Sequence, residues 1–87
     1  MARDTAGGSV LFRHDSAGAG DRIETTVLRD ETGRYSLICR RFAPEGEDAV
    51  RLTDPGRPEA LLAFAKAVSE SHTHPRMIPE LWEEFAP

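Results

Sequence analysis

Three histidines, one cysteine and ten arginines are the residues of this chain whose chemistry could reach beyond packing. His72 and His74 form a His-x-His pair, with His14 as a third imidazole elsewhere. A zinc site needs three or four ligands, each oriented by a neighbour. The only cysteine, Cys39, lies in a strand pattern away from the histidines, so no recognised ligand spacing exists. The pair reads as polar loop residues, and no metal or cofactor is expected. Cys39 as a nucleophile would need Arg40 or Arg41 to lower its pKa and a histidine beside it. A free cysteine inside a strand is more often a small buried hydrophobe. His14-Asp15 has the composition of an acid–base pair, yet adjacent strand residues point to opposite faces. Ser9 or Ser16 would have to complete a triad, and nothing in the spacing suggests one. Ala17–Gly20 is no phosphate loop, because no Lys-Ser/Thr follows and no helix opens there. A chain this short is also ill suited to enclosing a catalytic pocket. The sequence therefore reads as non-enzymatic, with no catalytic residue and no small-molecule substrate.

The arginines carry more. Arg13, Arg29, Arg34, Arg40, Arg41 and Arg51 fall on or beside strands, interleaved with Phe12, Tyr35 and Phe42. Arginines and aromatics on a sheet can stack single-stranded bases and neutralise phosphates. Arginines at strand edges also simply solubilise a sheet and guard it from pairing. Alternation puts Arg40 with Ile38 and Phe42, and Arg41 with Tyr35, Leu37 and Cys39, so the six do not automatically share one surface.

The elements that must position these residues are legible as one supersecondary unit from Arg22 to Glu70. Residues 1–8 lack periodicity and are expected to be a flexible arm. Ser9–Ser16 alternates Val10, Phe12 and His14 against Leu11 and Arg13, which predicts a strand. After the glycine-containing loop at 17–20, Arg22–Asp30 alternates with β-branched residues, as strands prefer. Asp30-Glu31-Thr32-Gly33 is the sharpest local signal: Asp opens a type I turn, and Gly33 suits the left-handed position that closes a bulged hairpin. Arg34–Phe42 returns with both faces partly apolar, which hints at a further layer. Ala43–Asp48 reads as a polar loop, Ala49–Thr53 as a short fourth strand, and the prolines at 55 and 58 as its end. Pro58 suits the first turn of a helix and Glu59 its dipole. Leu61, Phe64, Ala65 and Val68 recur at helical spacing, widened by Leu62. Past Pro75, Pro79 could start a last turn that packs Leu81, Trp82 and Phe85. The expected fold is α+β: a four-stranded antiparallel β-meander covered on one face by one amphipathic helix, with a short C-terminal helical turn. The domain would span 9–71, with a Pro-containing tail over 72–87.

Composition bounds the function. Eighty-seven residues make one domain, with stability that dimerisation would help. The net charge of −4 argues against a broad nucleic-acid surface. The imbalance lies in the helical part: residues 54–87 hold three basic residues against six acids, while residues 9–53 hold seven arginines against eight acids. A basic sheet face is compatible with an acidic whole. No apolar run reaches membrane-spanning length, and the first ten residues lack the apolar core of a signal peptide. One cysteine fits a reducing cytoplasm. The preference for Arg over a single Lys66 suggests a GC-rich bacterial or phage genome.

The stretch from Arg34 to Val68 resembles the C-terminal region of the positive cofactor four family of transcriptional coactivators. Arg40, Arg41 and Phe42 match that family's Arg-aromatic strand step, Pro44 to Gly46 its loop, Val50 to Thr53 its short strand and Ala60 to Val68 its helix. The resemblance covers about 35 residues by pattern. It implies a dimer that binds single-stranded DNA without catalysis. The single Lys, the acidic balance and the Trp-bearing acidic tail depart from the family. The fuller expectation is a protein-interaction module, a homodimer or a subunit of a larger complex. Its sheet surface would bind through Tyr35, Arg40, Arg41, Phe42 and Arg51, with Trp82 and Phe85 as further anchors. Single-stranded nucleic acid is the alternative ligand.

Overall fold

The computed structural model describes residues 9–53 and 57–85. The arm expected at 1–8 and the strand break at 54–56 lie outside them. Four strands, β1 (Ser9–Ala17), β2 (Arg22–Arg29), β3 (Tyr35–Ala43) and β4 (Gly46–Thr53), form one open antiparallel sheet in the order β1-β2-β3-β4. Helix α1 (Pro58–Glu70) follows, then a 3₁₀ turn (Pro75–Met77) and helix α2 (Ile78–Phe85). The fold is α+β.

Local chemistry explains the turns. Asp30 Oδ1 accepts from the Thr32 amide at 3.0 Å, the Thr32 hydroxyl at 2.6 Å and the Arg34 amide at 3.0 Å. Gly33, at φ 89°, takes the left-handed position, and its amide donates to the Asp30 carbonyl at 3.0 Å. These bonds favour the charged carboxylate, so Asp30 lies below its ordinary pKa, the Thr32 hydroxyl contributing most. The next hairpin is tighter than the sequence suggests. Ala43 pairs with Gly46, leaving only Pro44-Glu45 as the connection, and β4 begins three residues before the expected Ala49. Proline cannot supply the positive φ of a primed turn. Gly46, at φ 152°, supplies a backbone that side chains rarely adopt. Glu47 and Asp48 sit on an edge strand with both side chains exposed, which is where charges belong in a sheet.

Register sorts the sheet residues onto two faces. Thr25 lies opposite Cys39, and Val27 opposite Leu37, with Val50 and Leu52 next across β4. Ile23, Val27, Leu37 and Cys39 are buried in one cluster with Leu61, Phe64, Ala65 and Val68 of α1 and Ile78 and Trp82 of α2. We call this the Leu37 face. One residue along, Thr26, Ile38 and Arg51 lie side by side on the Ile38 face.

Helix α1 starts at Pro58 without a side-chain cap and carries Glu59 in its first turn. Its end is unusual. The Thr73 amide returns to the Val68 carbonyl at 3.4 Å, the wrap of a Schellman closure, and His72 takes the left-handed position at φ 51°. Glycine normally holds that place. Beyond it, His74 Nδ1 accepts from the Arg76 amide at 3.1 Å and so caps the 3₁₀ turn. Where the sequence suggests a short turn from Pro79, the chain forms a helix of eight residues from Ile78.

Candidate functional site

The Ile38 face is built from alternate residues of all four strands. Arg13, Asp15, Arg22, Glu24, Arg40, Glu47 and Arg51 give it four arginines and three carboxylates. Arg13 is ion-paired with Glu24 at 2.5 Å, and Arg22 with Asp15 at 3.5 Å. The Arg22 guanidinium also lies 4.4 Å above the Phe42 ring. Among the described residues neither Arg40 nor Arg51 has a carboxylate partner, and Arg51 donates to the Ser36 hydroxyl at 3.3 Å. These two arginines flank Ile38 around a shallow depression of about 280 Å³, completed by Ala49 and Val50.

Two of the residues expected on this surface belong to the other one. Tyr35 packs against the core cluster on the Leu37 face, half-buried. Arg41 shares that face and is already engaged: its Nε donates to Asp21 Oδ2 at 2.7 Å, and its terminal nitrogens reach Glu45 at 3.3 Å and Asp48 at 3.6 Å. An arginine so neutralised offers little to a phosphate or a partner carboxylate. Trp82 lies on α2, where the sequence offers it both to packing of the last turn and to an interface. It is 9% exposed, with its ring 5.2 Å from Phe64 in an edge-on contact, so it packs inside the chain. Phe85 stacks 6.3 Å from Trp82, stays 45% exposed, and borders a groove of about 310 Å³ with Phe64, Val68 and Leu81.

At the end of the Leu37 face lies a hydrogen-bonded chain that the sequence does not announce. Ser16 Oγ is 2.5 Å from His72 Nδ1, and His72 Nε2 is 2.8 Å from Asp21 Oδ1. Asp21 Oδ2 accepts from Arg41 as described. The Asp21 carboxyl is held below its ordinary pKa, first by the bond from His72 and then by that from Arg41. Arg41 is pushed up, chiefly by Asp21. Gly18 lies directly against the cluster. A Cβ there would sit 2.5 Å from His72 Nε2 and 2.8 Å from Asp21 Oδ1.

His72 and His74 diverge, the second facing Asp48 at 3.7 Å. Among the described residues no three His, Cys, Asp or Glu side chains gather as a metal ion would need. His14 lies on the Leu37 face of β1, and its Nδ1 is buried without a hydrogen-bond partner among the described residues. Cys39 is 1% exposed, its sulfur 3.8 Å from the Thr73 carbonyl, and burial pushes its thiol up. No helix of the described residues is long and apolar enough to cross a membrane.

No protein-family model, curated protein or solved structure matches this chain.

The Asp21 cluster gives a prediction of its own. Its pKa is lowered on folding, so its contribution to stability is complete above the ordinary value of 3.8 and is lost as pH falls from there through the folded value. Urea midpoints of the wild type and Asp21→Asn are expected to differ at pH 7 and to converge below pH 3.8. An equal gap at pH 7 and pH 3 would mean that the ion pair contributes nothing.

Proposed function

We propose that the chain is a protein-interaction module that docks an acidic, partly apolar segment of another protein on its Ile38 face. The observation that carries this reading is the depression around Ile38, flanked by Arg40 and Arg51, neither of which has a carboxylate partner among the described residues. An apolar centre with a charged rim is the anatomy of a docking patch. The buried cluster unites residues of α1 and α2 with the Leu37 face and includes no residue of the Ile38 face. Phe42 and Arg22 extend the patch along β2 and β3, and Phe85 offers a second apolar contact from the helical layer. A free, buried Cys39 thiol suits a reducing compartment such as the cytoplasm.

The partner is a different chain, which makes this one a subunit of a complex. Two Ile38 faces related by a two-fold axis would bring arginines together at the centre. Docking onto the acidic helical layer of another copy would be head-to-tail, which builds rings or filaments rather than a two-fold dimer. Single-stranded nucleic acid is less well served, because Phe42 is the only aromatic on the described Ile38 face and Arg22 already covers it, whereas base binding uses a row of open rings.

The test uses ¹⁵N-labelled full-length chain, titrated with a peptide of alternating Glu and Leu and separately with a labelled oligothymidylate. The peptide is expected to shift the amides of Ile38, Arg40 and Arg51. Arg40→Glu with Arg51→Glu should weaken it by about tenfold or more while leaving the remaining spectrum unchanged. Shifts confined to the groove beside Phe85 would move the docking site there. Oligonucleotide binding that weakens steeply with salt would replace the protein partner with nucleic acid.

A further inference from the structure

We propose that Ser16, His72 and Asp21 form a nucleophilic site that accepts acyl groups from small activated esters, an activity separate from docking on the Ile38 face. The side chains come from the end of β1, the β1–β2 loop and the link after α1, and they meet in the order hydroxyl, imidazole, carboxylate. A triad is recognised by geometry and roles rather than by position in the chain. Here the imidazole presents Nε2 to the carboxylate and Nδ1 to the serine. Asp21, held charged by Arg41, accepts a hydrogen bond from the Nε2–H and thereby leaves the Nδ1 lone pair facing the Ser16 hydroxyl.

Two further features hold the imidazole in place. His72 occupies a left-handed backbone position at φ 51°, a conformation that persists in a non-glycine residue only when its surroundings demand it and that clusters at functional sites. Gly18 lets the loop backbone approach the ring closer than any side chain would permit. The site is also reachable. Ser16 is half-buried and the His72 side chain is 31% exposed. It lies on the surface rather than in an enclosed cavity, which suits small substrates with good leaving groups rather than long acyl chains.

The chemistry balances without a cofactor. Ser16 Oγ attacks the ester carbonyl carbon as its proton passes to His72 Nδ1, and the imidazolium so formed is stabilised by Asp21. The C–O bond to the leaving alcohol breaks, the alcohol takes the proton from His72, and the acyl group stays on Ser16. Water then loses a proton to His72, attacks the acyl carbon and releases the acid, returning the proton to Ser16.

The test treats the full chain with a fluorophosphonate probe, which bonds phosphorus to a nucleophilic serine and expels fluoride, and maps the adduct by mass spectrometry. Hydrolysis of p-nitrophenyl acetate is followed in parallel. The adduct is expected on Ser16 and absent in Ser16→Ala. His72→Asn removes the base while keeping a residue that tolerates the left-handed backbone, and should slow both reactions about 100-fold. Arg40→Glu with Arg51→Glu should leave them unchanged, which separates this site from the docking face. No adduct on Ser16 in the wild type overturns the proposal, whatever the variants do. So does labelling that is equally fast in a folded His72→Asn chain.

Discussion

Replacing Trp82 with alanine is expected to destabilise the domain by about 3–5 kcal/mol, the range for a large aromatic removed from a core. The sequence offers Trp82 two roles, packing in the last turn or an interface anchor whose loss would spare the fold. The structure puts it 9% exposed against Phe64, itself 1% exposed, beside the fully buried Ile78. Helix α2 has eight residues, too few to hold itself together in water, so its helicity depends on this docking. A domain of this size has about 5–15 kcal/mol of total stability, so the loss is a large share of the whole. For a chain this small, each kcal/mol shifts the melting midpoint by about 4–8 °C. Phe85→Ala should cost only about 1 kcal/mol, because its ring is 45% exposed and loses less burial. Urea unfolding followed by far-UV circular dichroism separates the two. Equal, small losses for both variants would mean that α2 does not dock through Trp82.

Gly18→Ala is the second large effect, expected at about 1–3 kcal/mol from overpacking. The added carbon would sit 2.5 Å from His72 Nε2 and 2.8 Å from Asp21 Oδ1, so the imidazole or the carboxylate must give way. The bonds from Ser16 to His72 and from His72 to Asp21 should be lost together, visible as a shift of the His72 ring resonances. Gly33→Ala is the control. Its φ is 89° but nothing lies within 4 Å of a Cβ there, so it measures backbone strain without crowding. Strain alone should leave the His72 resonances where they are. If Gly18→Ala also leaves them unmoved, the close approach of the loop to the ring is not what holds it.

The elements that announce themselves do so by short-range pattern. Alternation in Arg22–Arg29 and Tyr35–Phe42, the Asp30–Gly33 turn, and the Leu61-Phe64-Ala65-Val68 stripe all survive in the structure, because each depends on neighbours within a few residues. The start of β4 is less legible. Glu47 and Asp48 have poor strand propensity, and only their place on an outer strand makes them acceptable. Helix α2 is legible in kind but not in length, since its extension back to Ile78 rests on burial of that side chain. His72 carries one faint signal: a polar residue just past the last buried residue of a helix, where glycine would be usual.

By itself the sequence determined the strand and helix periods, the Asp30 turn and the separation of Arg40 from Arg41 onto opposite faces, since side-chain direction follows from the backbone repeat. Only the tertiary structure decided that Arg41 is neutralised by Asp21, that Trp82 is buried, and that Ser16 and Asp21 meet His72 across separations of 56 and 51 residues. Those contacts depend on the register of the strands and on where the chain returns after α1. Both are set by packing of the whole core, and no local pattern of residues records them.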